Sequence, residues 1–350
     1  MAQITTVIPT YRRPRLLSRA IRSVLAQTYP DFEIHVWDNA SGDETADVVA
    51  EIARRDPRAH YHCHPENIGP VRNFAYGAAQ VATPFFNFLS DDDILLPNFF
   101  ALGMRLLGES PDAGAFAGAS IRSDPAGRTY RSPSLAWKPG VYAPPRGCFG
   151  ILGHGNFDWT SMLFRRAAFD AIGGLDEAVG EPSDLDLQLR MAARFPLVVS
   201  TDPCAVFVIG TQNASQRVSP VRLARAFERI VGKFEADAAL AAADREQIVR
   251  LMKRRLRAEI IAKSFRAAAR GEAIASSIFD PLGDDGGFFG RRFNGTIGLL
   301  NRRDAIGAAA RWAFRAADGA RFAVKHGAAR IRLRRIAARV RSGLHPASPA

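Results

Sequence analysis

The chain has 350 residues, of which 47% are hydrophobic and 23% are charged, and these values are typical of a globular protein. Its three cysteines exclude a disulfide framework and a zinc ribbon with paired CxxC ligands. The N-terminus lacks the features of a signal peptide and the sequence contains no apolar run of about 18 residues, so we expect a cytoplasmic protein without a transmembrane helix.

Strand-like and helix-like segments alternate along the first 90 residues. Apolar and β-branched runs predict strands over residues 4–8, 33–37, 59–63 and 84–89. Apolar residues at helical spacing predict helices from Pro14 and over residues 43–55 and 73–81. This order predicts an α/β fold with a mostly parallel, Rossmann-like sheet flanked by helices. In such a sheet ligands bind beyond the carboxyl ends of the strands, so the residues that follow each strand are candidate site residues.

The remainder of the chain divides near residue 217. Residues 110–155 are rich in Pro, Gly and Ser and predict loops on a short edge structure, whereas residues 159–164 predict a strand. After Pro220 the composition shifts to Ala, Arg and Leu with helical periodicity. We therefore expect an α/β domain over residues 1–217 and a helical, basic C-terminal extension over residues 218–350.

Three consecutive aspartates follow the strand predicted at residues 84–89. The carboxylates of Asp91, Asp92 and Asp93 would repel one another unless a cation or solvent offset their charges. A Mg²⁺ or Mn²⁺ ion that bridges carboxylate and phosphate oxygens explains such a cluster. The alternative is an Asp-rich loop that caps the next helix, because Asp stabilises a helix N-terminus.

Two further segments suit a nucleoside diphosphate. Asp38, at the end of a predicted strand, can accept the imide N–H of a uracil or thymine ring. Alternatively, it forms an Asx-turn ahead of a helix that Asp43 caps. Arg72 and Asn73 lie at the start of a predicted helix, where a guanidinium and free backbone N–H groups can converge on a diphosphate. Here the alternative is that Asn67 and Asn73 only form turns and caps.

Two aspartates further along the chain are candidates for a catalytic base. Asp184 and Asp186 cannot face the same side of a regular helix, so one can point into a cleft while the other caps the helix or pairs with Arg190. A carboxylate near an acceptor hydroxyl can act as general base in a single displacement at an anomeric carbon, which inverts its configuration. The alternative is simple N-capping by Ser183 and Asp184.

Together these segments resemble the family 2 glycosyltransferases. The resemblance rests on the motifs VIPTYRR at residues 7–13, QTY at 27–29, DNASGDET at 38–45, NIG at 67–69 with Arg72 and Asn73, LSDDD at 89–93, and matches to the family's Gly-Gly-Phe-Asp and Glu-Asp-x-Asp segments. It implies a GT-A catalytic domain, a nucleotide-sugar donor, a divalent Mn²⁺ or Mg²⁺ cofactor and inversion at the transferred sugar. With Asp38 reading the base, UDP- or dTDP-sugars are favoured as donors. The expected reaction is transfer to an acceptor hydroxyl in cell-surface glycan synthesis.

The resemblance also implies roles for individual residues. Asp184 stands at the position of the catalytic base, and Asp92 and Asp93 are assigned to the metal. Ser90 replaces the first acidic residue of the common Asp-x-Asp-Asp form, so the choice of aspartates for ribose and metal stays open. The residues expected to bind the donor are Pro9, Thr10, Tyr11, Arg13, Asp38, Asn67, Arg72, Asp91 and Asp92. The residues near the strand that faces the acceptor in relatives, and therefore candidates for acceptor contact, are His154, Asp158 and Trp159.

Positive charge is concentrated at the C-terminus, where residues 301–350 contain 12 Lys and Arg but only 2 Asp and Glu. If helical, residues 321–341 can lie on the inner face of the cell membrane with their arginines toward anionic headgroups. Such peripheral contact would bring the enzyme to a lipid-linked or other glycan acceptor. The alternative is a basic surface helix or a disordered tail.

Three other functions stay open from the sequence. The basic tail could bind nucleic acid, but it carries no aromatic pattern typical of RNA binding and the acidic strand ends would repel a polyanion, so we expect no nucleic-acid partner. A catalytically inactive relative could keep the fold as an interaction module. Nucleotidyl transfer also uses paired aspartates and a metal, but it normally needs a glycine-rich loop after the first strand, and residues 9–12 contain no glycine.

Overall fold

The structure is a computed structural model that describes residues 1–130, 132–209 and 219–269. The chain divides into two compact units, Met1–Asn213 and Ala214–Ala350. The first unit contains the sheet and the second contributes helices.

The first unit is built on one sheet with ten strands among the described residues. These strands are β1 (Ile4–Thr10), β2 (Phe32–Asp38), β3 (Ala59–Cys63), β4 (Phe85–Phe88), β5 (Ile94–Leu95), β6 (Ala115–Ser123), β7 (Thr129–Tyr130), β8 (Gly140–Tyr142), β9 (Met162–Arg165) and β10 (Leu197–Val208). Their spatial order is β3-β2-β1-β4-β9-β6-β10-β5, with β7 beside β6 and β8 beside β10.

The direction of the strands confirms the predicted α/β class. Strands β3, β2, β1 and β4 are mutually parallel, and β6 is parallel to β10. Strand β9 runs antiparallel to both β4 and β6, and therefore links two groups of strands that point the same way. The second half of the sheet is accordingly mixed rather than parallel.

Helices cover the sheet and begin where the sequence supplies a suitable first residue. In the first unit they are α1 (Pro14–Leu25), α2 (Thr45–Arg55), α3 (Pro70–Ala79), α4 (Phe99–Glu109), α5 (Arg146–His154), α6 (Arg166–Ala171) and α7 (Ser183–Arg194). Proline opens α1 and α3, as expected for a residue with a fixed φ and no N–H to satisfy. Helix α3 thus starts three residues before its predicted beginning.

The core lies between these helices and the sheet. In α1 the buried residues Leu17, Ala20, Ile21 and Val24 recur at helical spacing and form one apolar face. Each fully buried Leu or Ile side chain contributes ~1.5–3 kcal/mol from the apolar surface it removes from water. The face therefore holds α1 against the sheet and fixes the loop that precedes it.

The expectation of loops over residues 110–155 is wrong in two places. Residues Ala115–Ser123 form the central strand β6, and residues Arg146–His154 form α5. Alanine, glycine and serine make up six of the nine residues of β6, and glycine makes up three of the nine residues of α5. Such residues have weak strand and helix signals in a sequence. Tertiary packing favours them here, because a side chain at Gly118 would collide with Cys204 on the neighbouring strand. Residues 159–161 are a short 3-10 helix, and the predicted strand begins only at Met162.

The described part of the second unit is helical, with α8 (Pro220–Glu235) and α9 (Ala242–Ala269). Within residues 1–130, 132–209 and 219–269, no helix combines the length and apolar character needed to cross a membrane. The basic segment 321–341 lies outside the described residues, and its contact with a membrane stays a prediction.

Candidate active site

The site lies at the edge of the sheet where β1, β2, β3 and β4 end. Because β9 runs in the opposite direction, the residues just before it, including Asp158, lie at the same edge. The loops there are joined by backbone hydrogen bonds, since Asn39 N–H donates to the carbonyl of Thr10 and His64 N–H donates to that of Asp38. The topology therefore brings most of the sequence-predicted residues together.

Asp91 and Asp92 share a cationic partner at this edge. Nη1 of Arg13 lies 3.1 Å from Oδ1 of Asp91 and 3.2 Å from Oδ2 of Asp92. The hydroxyl of Thr10 donates to the other oxygen of Asp91 at 2.8 Å. Burial raises the pKa of Asp91 to about 6 although Arg13 opposes the shift, and burial likewise raises the pKa of Asp92. Two carboxylates are thus held together where their charges are poorly compensated, which favours a further cation.

Asp93 has a different environment from its two neighbours. Its side chain is fully buried, Oδ2 accepts the hydroxyl of Thr160 at 2.5 Å, and Oδ1 accepts Val208 N–H at 2.8 Å. Burial, together with the charge of Asp92, raises the pKa of Asp93 well above its ordinary range. Both oxygens therefore tie the loop after β4 to other elements, and the prediction that Asp93 is a metal ligand stays a prediction.

Asp38 organises the loops after β2 and β3. Its carboxylate accepts Ser41 N–H at 3.0 Å, the hydroxyl of Ser41 at 2.5 Å and the hydroxyl of Tyr61 at 2.6 Å. Burial, and then this hydrogen bond, raise the pKa of Tyr61. The turn-forming alternative for Asp38 is thus present, and contact with a base remains to be tested. Asp43 lies one residue before Glu44, the N-cap of α2, and accepts the N–H of Thr45, the first residue of that helix.

The other predicted donor residues line the same edge with different exposure. Asn67 accepts a hydrogen bond from Asn39 at 3.0 Å, which joins the loop before α3 to the loop after β2. Arg72 is exposed in the first turn of α3 and pairs with Glu177 at 3.1 Å. Pro9 is buried within β1, whereas the ring of Tyr11 is exposed at the end of that strand.

Asp184 lies in the first turn of α7, and its carboxylate is held from two sides. Oδ2 accepts the side-chain amide of Asn156 at 2.8 Å, and Oδ1 accepts Leu185 N–H at 2.8 Å. Asp186 is fully buried and pairs with Arg190 at 2.8 Å. Of the two aspartates, only Asp184 is partly exposed, so the predicted division of roles agrees with their burial.

An arginine that the sequence analysis did not identify lies among the acidic residues. Arg122 of β6 donates to both oxygens of Asp158, through Nε at 3.1 Å and Nη2 at 2.5 Å. Burial opposes its charge, but the carboxylates of Asp158, Asp184 and Asp93 raise the pKa of Arg122. The sequence offers only a single arginine as a signal, in the run AFAGASIRS, which lies within the segment predicted to form loops. Arg122 therefore places the candidate base in the same electrostatic group as Asp93 of the loop after β4.

The three acceptor candidates are separated by this arrangement. His154 is exposed at the end of α5, and Asp158 is buried against Arg122 and Ser120. Trp159 is partly exposed, and its ring packs 4.4 Å from Phe74 and 5.0 Å from Phe88 between ring centroids. The carboxylate of Asp158 is therefore taken up by contacts within the protein, whereas His154 and Trp159 keep exposed surface. Acceptor contact by the three residues stays a prediction.

Comparison with known proteins places this geometry in a family. Residues 5–173 match the sequence profile of Glycosyl transferase family 2. The GalNAc(5)-diNAcBac-PP-undecaprenol beta-1,3-glucosyltransferase of Campylobacter jejuni is 34% identical over 110 residues, which are 31% of this chain and 36% of that protein. The succinoglycan biosynthesis protein ExoW of Rhizobium meliloti is 36% identical over 101 residues, or 28% and 32% of the two chains. The matched segments thus span about a third of these curated relatives.

Solved structures share the fold at low sequence identity. The S. aureus TarS fragment in complex with UDP-GlcNAc has a TM-score of 0.65 and 15% identity, and the match covers 86% of this chain and 90% of that one. The mannosyltransferase PcManGT of Pyrobaculum calidifontis, in complex with GDP-Man and Mn2+, has a TM-score of 0.53 and 17% identity, with 90% and 86% covered. These similarities confirm the predicted GT-A type of fold. With its profile match, motifs and sheet topology in agreement, the segment of residues 5–173 belongs to the family 2 glycosyltransferases.

Proposed function

We propose that the protein is an inverting glycosyltransferase that moves a sugar from a nucleoside diphosphate sugar to a hydroxyl of a glycan or lipid-linked acceptor. The proposal rests on the contact of Arg13 with Asp91 and Asp92 at the carboxyl edge of the parallel strands. Asp184 belongs to the same group of charges, because its carboxylate acts on the pKa of Arg122. This edge is where open α/β sheets bind their ligands.

The acidic pair fits a Mn²⁺ or Mg²⁺ ion. Both metals prefer oxygen ligands, and the oxygens of Asp91 and Asp92 already converge on one cationic nitrogen. We therefore favour Asp92 with Asp91 as metal residues over the predicted pair of Asp92 and Asp93. When bound, such an ion would offset the negative charge of the diphosphate. Arg13, which holds the pair together, would be available to the donor phosphates.

The donor would extend from this pair along the edge. The nucleoside would lie near Thr10, Tyr11 and Asp38, and the loop that holds Asn67 and Arg72 would border it. Since Asp38 accepts hydrogen bonds and a uracil or thymine imide offers a donor, we favour UDP- or dTDP-sugars. The TarS complex with UDP-GlcNAc supports this choice by analogy, whereas the GDP-Man complex of PcManGT keeps the alternative base in the test.

Asp184 would act as the general base. Its two hydrogen bonds, from Asn156 and Leu185, fix the carboxylate while leaving it partly exposed. It would accept the proton of the acceptor hydroxyl as that oxygen attacks the anomeric carbon and the nucleoside diphosphate leaves from the opposite face. The names of the undecaprenol-linked and succinoglycan relatives support a cell-surface glycan as the setting. A cytoplasmic location with peripheral membrane contact through residues 321–341 belongs to this proposal.

Calorimetric binding of UDP and GDP tests the donor site. We expect UDP to bind in the presence of Mn²⁺ and to bind at least tenfold more weakly with a chelator. The Asp91→Asn/Asp92→Asn variant should lose the metal-dependent binding. The matched control, Asp47→Asn/Asp112→Asn, also removes two carboxylates but at exposed positions, and should bind as wild type does.

Each outcome has a defined meaning. Equal binding by the site variant and the control would reject the acidic pair as the donor site. Preference for GDP would keep the donor site but reject the reading of uracil by Asp38. Absence of nucleotide binding under all conditions would reject the enzyme and favour the inactive interaction module.

A further inference from the structure

A second group of metal-binding side chains lies on one face of β2 and β3, within the strands rather than at their ends. Glu33 and His35 are two residues apart on β2 and therefore share a face of the sheet. The parallel register places His60 of β3 directly beside His35, and the centroids of their rings are 4.9 Å apart. One ligand atom from each of Glu33, His35 and His60 lies within 4.8 Å of the others. Small side-chain rotations can bring three such atoms around one ion.

Neighbouring side chains orient two of the three groups. Nε2 of His35 lies 3.4 Å from Oε1 of Glu33, while its Nδ1 lies 3.1 Å from Nε2 of His62. With the proton on Nδ1, His35 donates to His62 and directs the lone pair of Nε2 toward Glu33. Thr5 donates its hydroxyl to Oε1 of Glu33 at 2.8 Å. Hydrogen bonds that orient the ligand side chains are the usual support of a protein metal site.

The group is open to solvent. The side chains of Glu33 and His35 remain 27% and 22% exposed, which gives an ion access from solvent.

We propose that Glu33, His35 and His60 form a binding site for a borderline divalent ion such as Zn²⁺, with His62 as the residue that positions His35. Two imidazoles and one carboxylate are a ligand set typical of zinc, and they leave one position for water. Mg²⁺ prefers oxygen ligands and would select the Asp91–Asp92 pair instead. The ion would tie β2 to β3, the two strands that lead to the loops of the donor edge.

Titration of the chelator-treated full chain with ZnCl₂, followed by calorimetry, tests the site. We expect the His35→Ala/His60→Ala variant to lose at least 100-fold in Zn²⁺ affinity. The His326→Ala/His345→Ala variant removes the same number of histidines elsewhere in the sequence and should bind as wild type does. The His62→Ala variant should bind ~10- to 100-fold more weakly, because it loses only the supporting hydrogen bond.

Two further measurements keep the test independent of folding and of transferase activity. His60 is exposed, so His60→Gln should leave the circular dichroism spectrum and melting temperature unchanged while still weakening Zn²⁺ binding. Co²⁺ added in place of Zn²⁺ should give visible absorption bands that His60→Gln diminishes. Wild-type affinity in the His35→Ala/His60→Ala variant would overturn the proposal. Loss of Zn²⁺ binding in Asp91→Asn/Asp92→Asn alone would overturn it too, by assigning the ion to the donor edge.

Discussion

Replacement of Asp184 by asparagine is expected to lower turnover ~10²- to 10⁴-fold without unfolding the protein. A positioned general base contributes ~10²- to 10⁴-fold to rate, or about 3–5 kcal/mol of the activation barrier. The amide keeps the shape of the carboxylate and still accepts Leu185 N–H, and Asn156 can rotate its amide to keep its contact. The free energy of unfolding should therefore fall by at most about 1 kcal/mol.

Asp186→Asn provides the matched comparison, because it makes the same chemical change two residues away. Breaking a buried ion pair costs ~3–5 kcal/mol. Arg190 is 15% exposed and retains the carbonyls of Ile172 and Gly174 as partners, so we expect a smaller cost than this range, about 2–3 kcal/mol. The folded fraction of this variant should keep its turnover within tenfold of wild type.

The two variants are compared by UDP release in steady-state kinetics, by UDP binding in calorimetry and by urea denaturation. Asp184→Asn should lower kcat while UDP affinity stays near that of wild type. Turnover within threefold of wild type, at unchanged UDP affinity, would refute the assignment of Asp184 as base. A large loss of kcat in Asp186→Asn without a loss of stability would transfer that role to Asp186.

Three further predictions concern stability and thiol reactivity. Gly77→Ala places a Cβ 2.6 Å from a side-chain atom of β1 and should lower the free energy of unfolding by ~1–3 kcal/mol. Gly108→Ala has open space around it and should leave that free energy unchanged or raise it by up to ~1 kcal/mol. Equal melting temperatures of the two variants would contradict this. Arg122→Met removes the partner of the buried carboxylate of Asp158 and should lower the free energy of unfolding, measured by urea denaturation, by about 2–3 kcal/mol. This is less than the ~3–5 kcal/mol of a fully buried pair because the arginine is 28% exposed. Wild-type stability would refute the importance of the pair. Cys63 is exposed, whereas Cys204 is buried and burial raises the pKa of its thiol. A thiol reagent should therefore label Cys63 in the native protein and Cys204 only after unfolding. Rapid labelling of Cys204 in the native protein would be inconsistent with its burial.

Much of the first half of the fold follows from local sequence signals. The strands predicted at residues 4–8, 33–37, 59–63 and 84–89 are confirmed as β1 to β4, and β3 has the predicted bounds. Apolar strands and amphipathic helices can be recognised because their periodicity depends only on neighbours in the chain. The same signals failed for β6, where small residues are selected by contact with a distant strand rather than by local preference.

The sequence by itself therefore determined the order of elements, the family resemblance and the polar residues that follow each strand. Only the tertiary structure decided which of those residues meet. It separated Asp91 and Asp92, which share Arg13, from the enclosed Asp93, and it brought Arg122 to the acidic group from a segment without a motif. It also aligned His35 with His60. These relations depend on strand register and on crossings between segments far apart in the chain, and local periodicity carries no information about either.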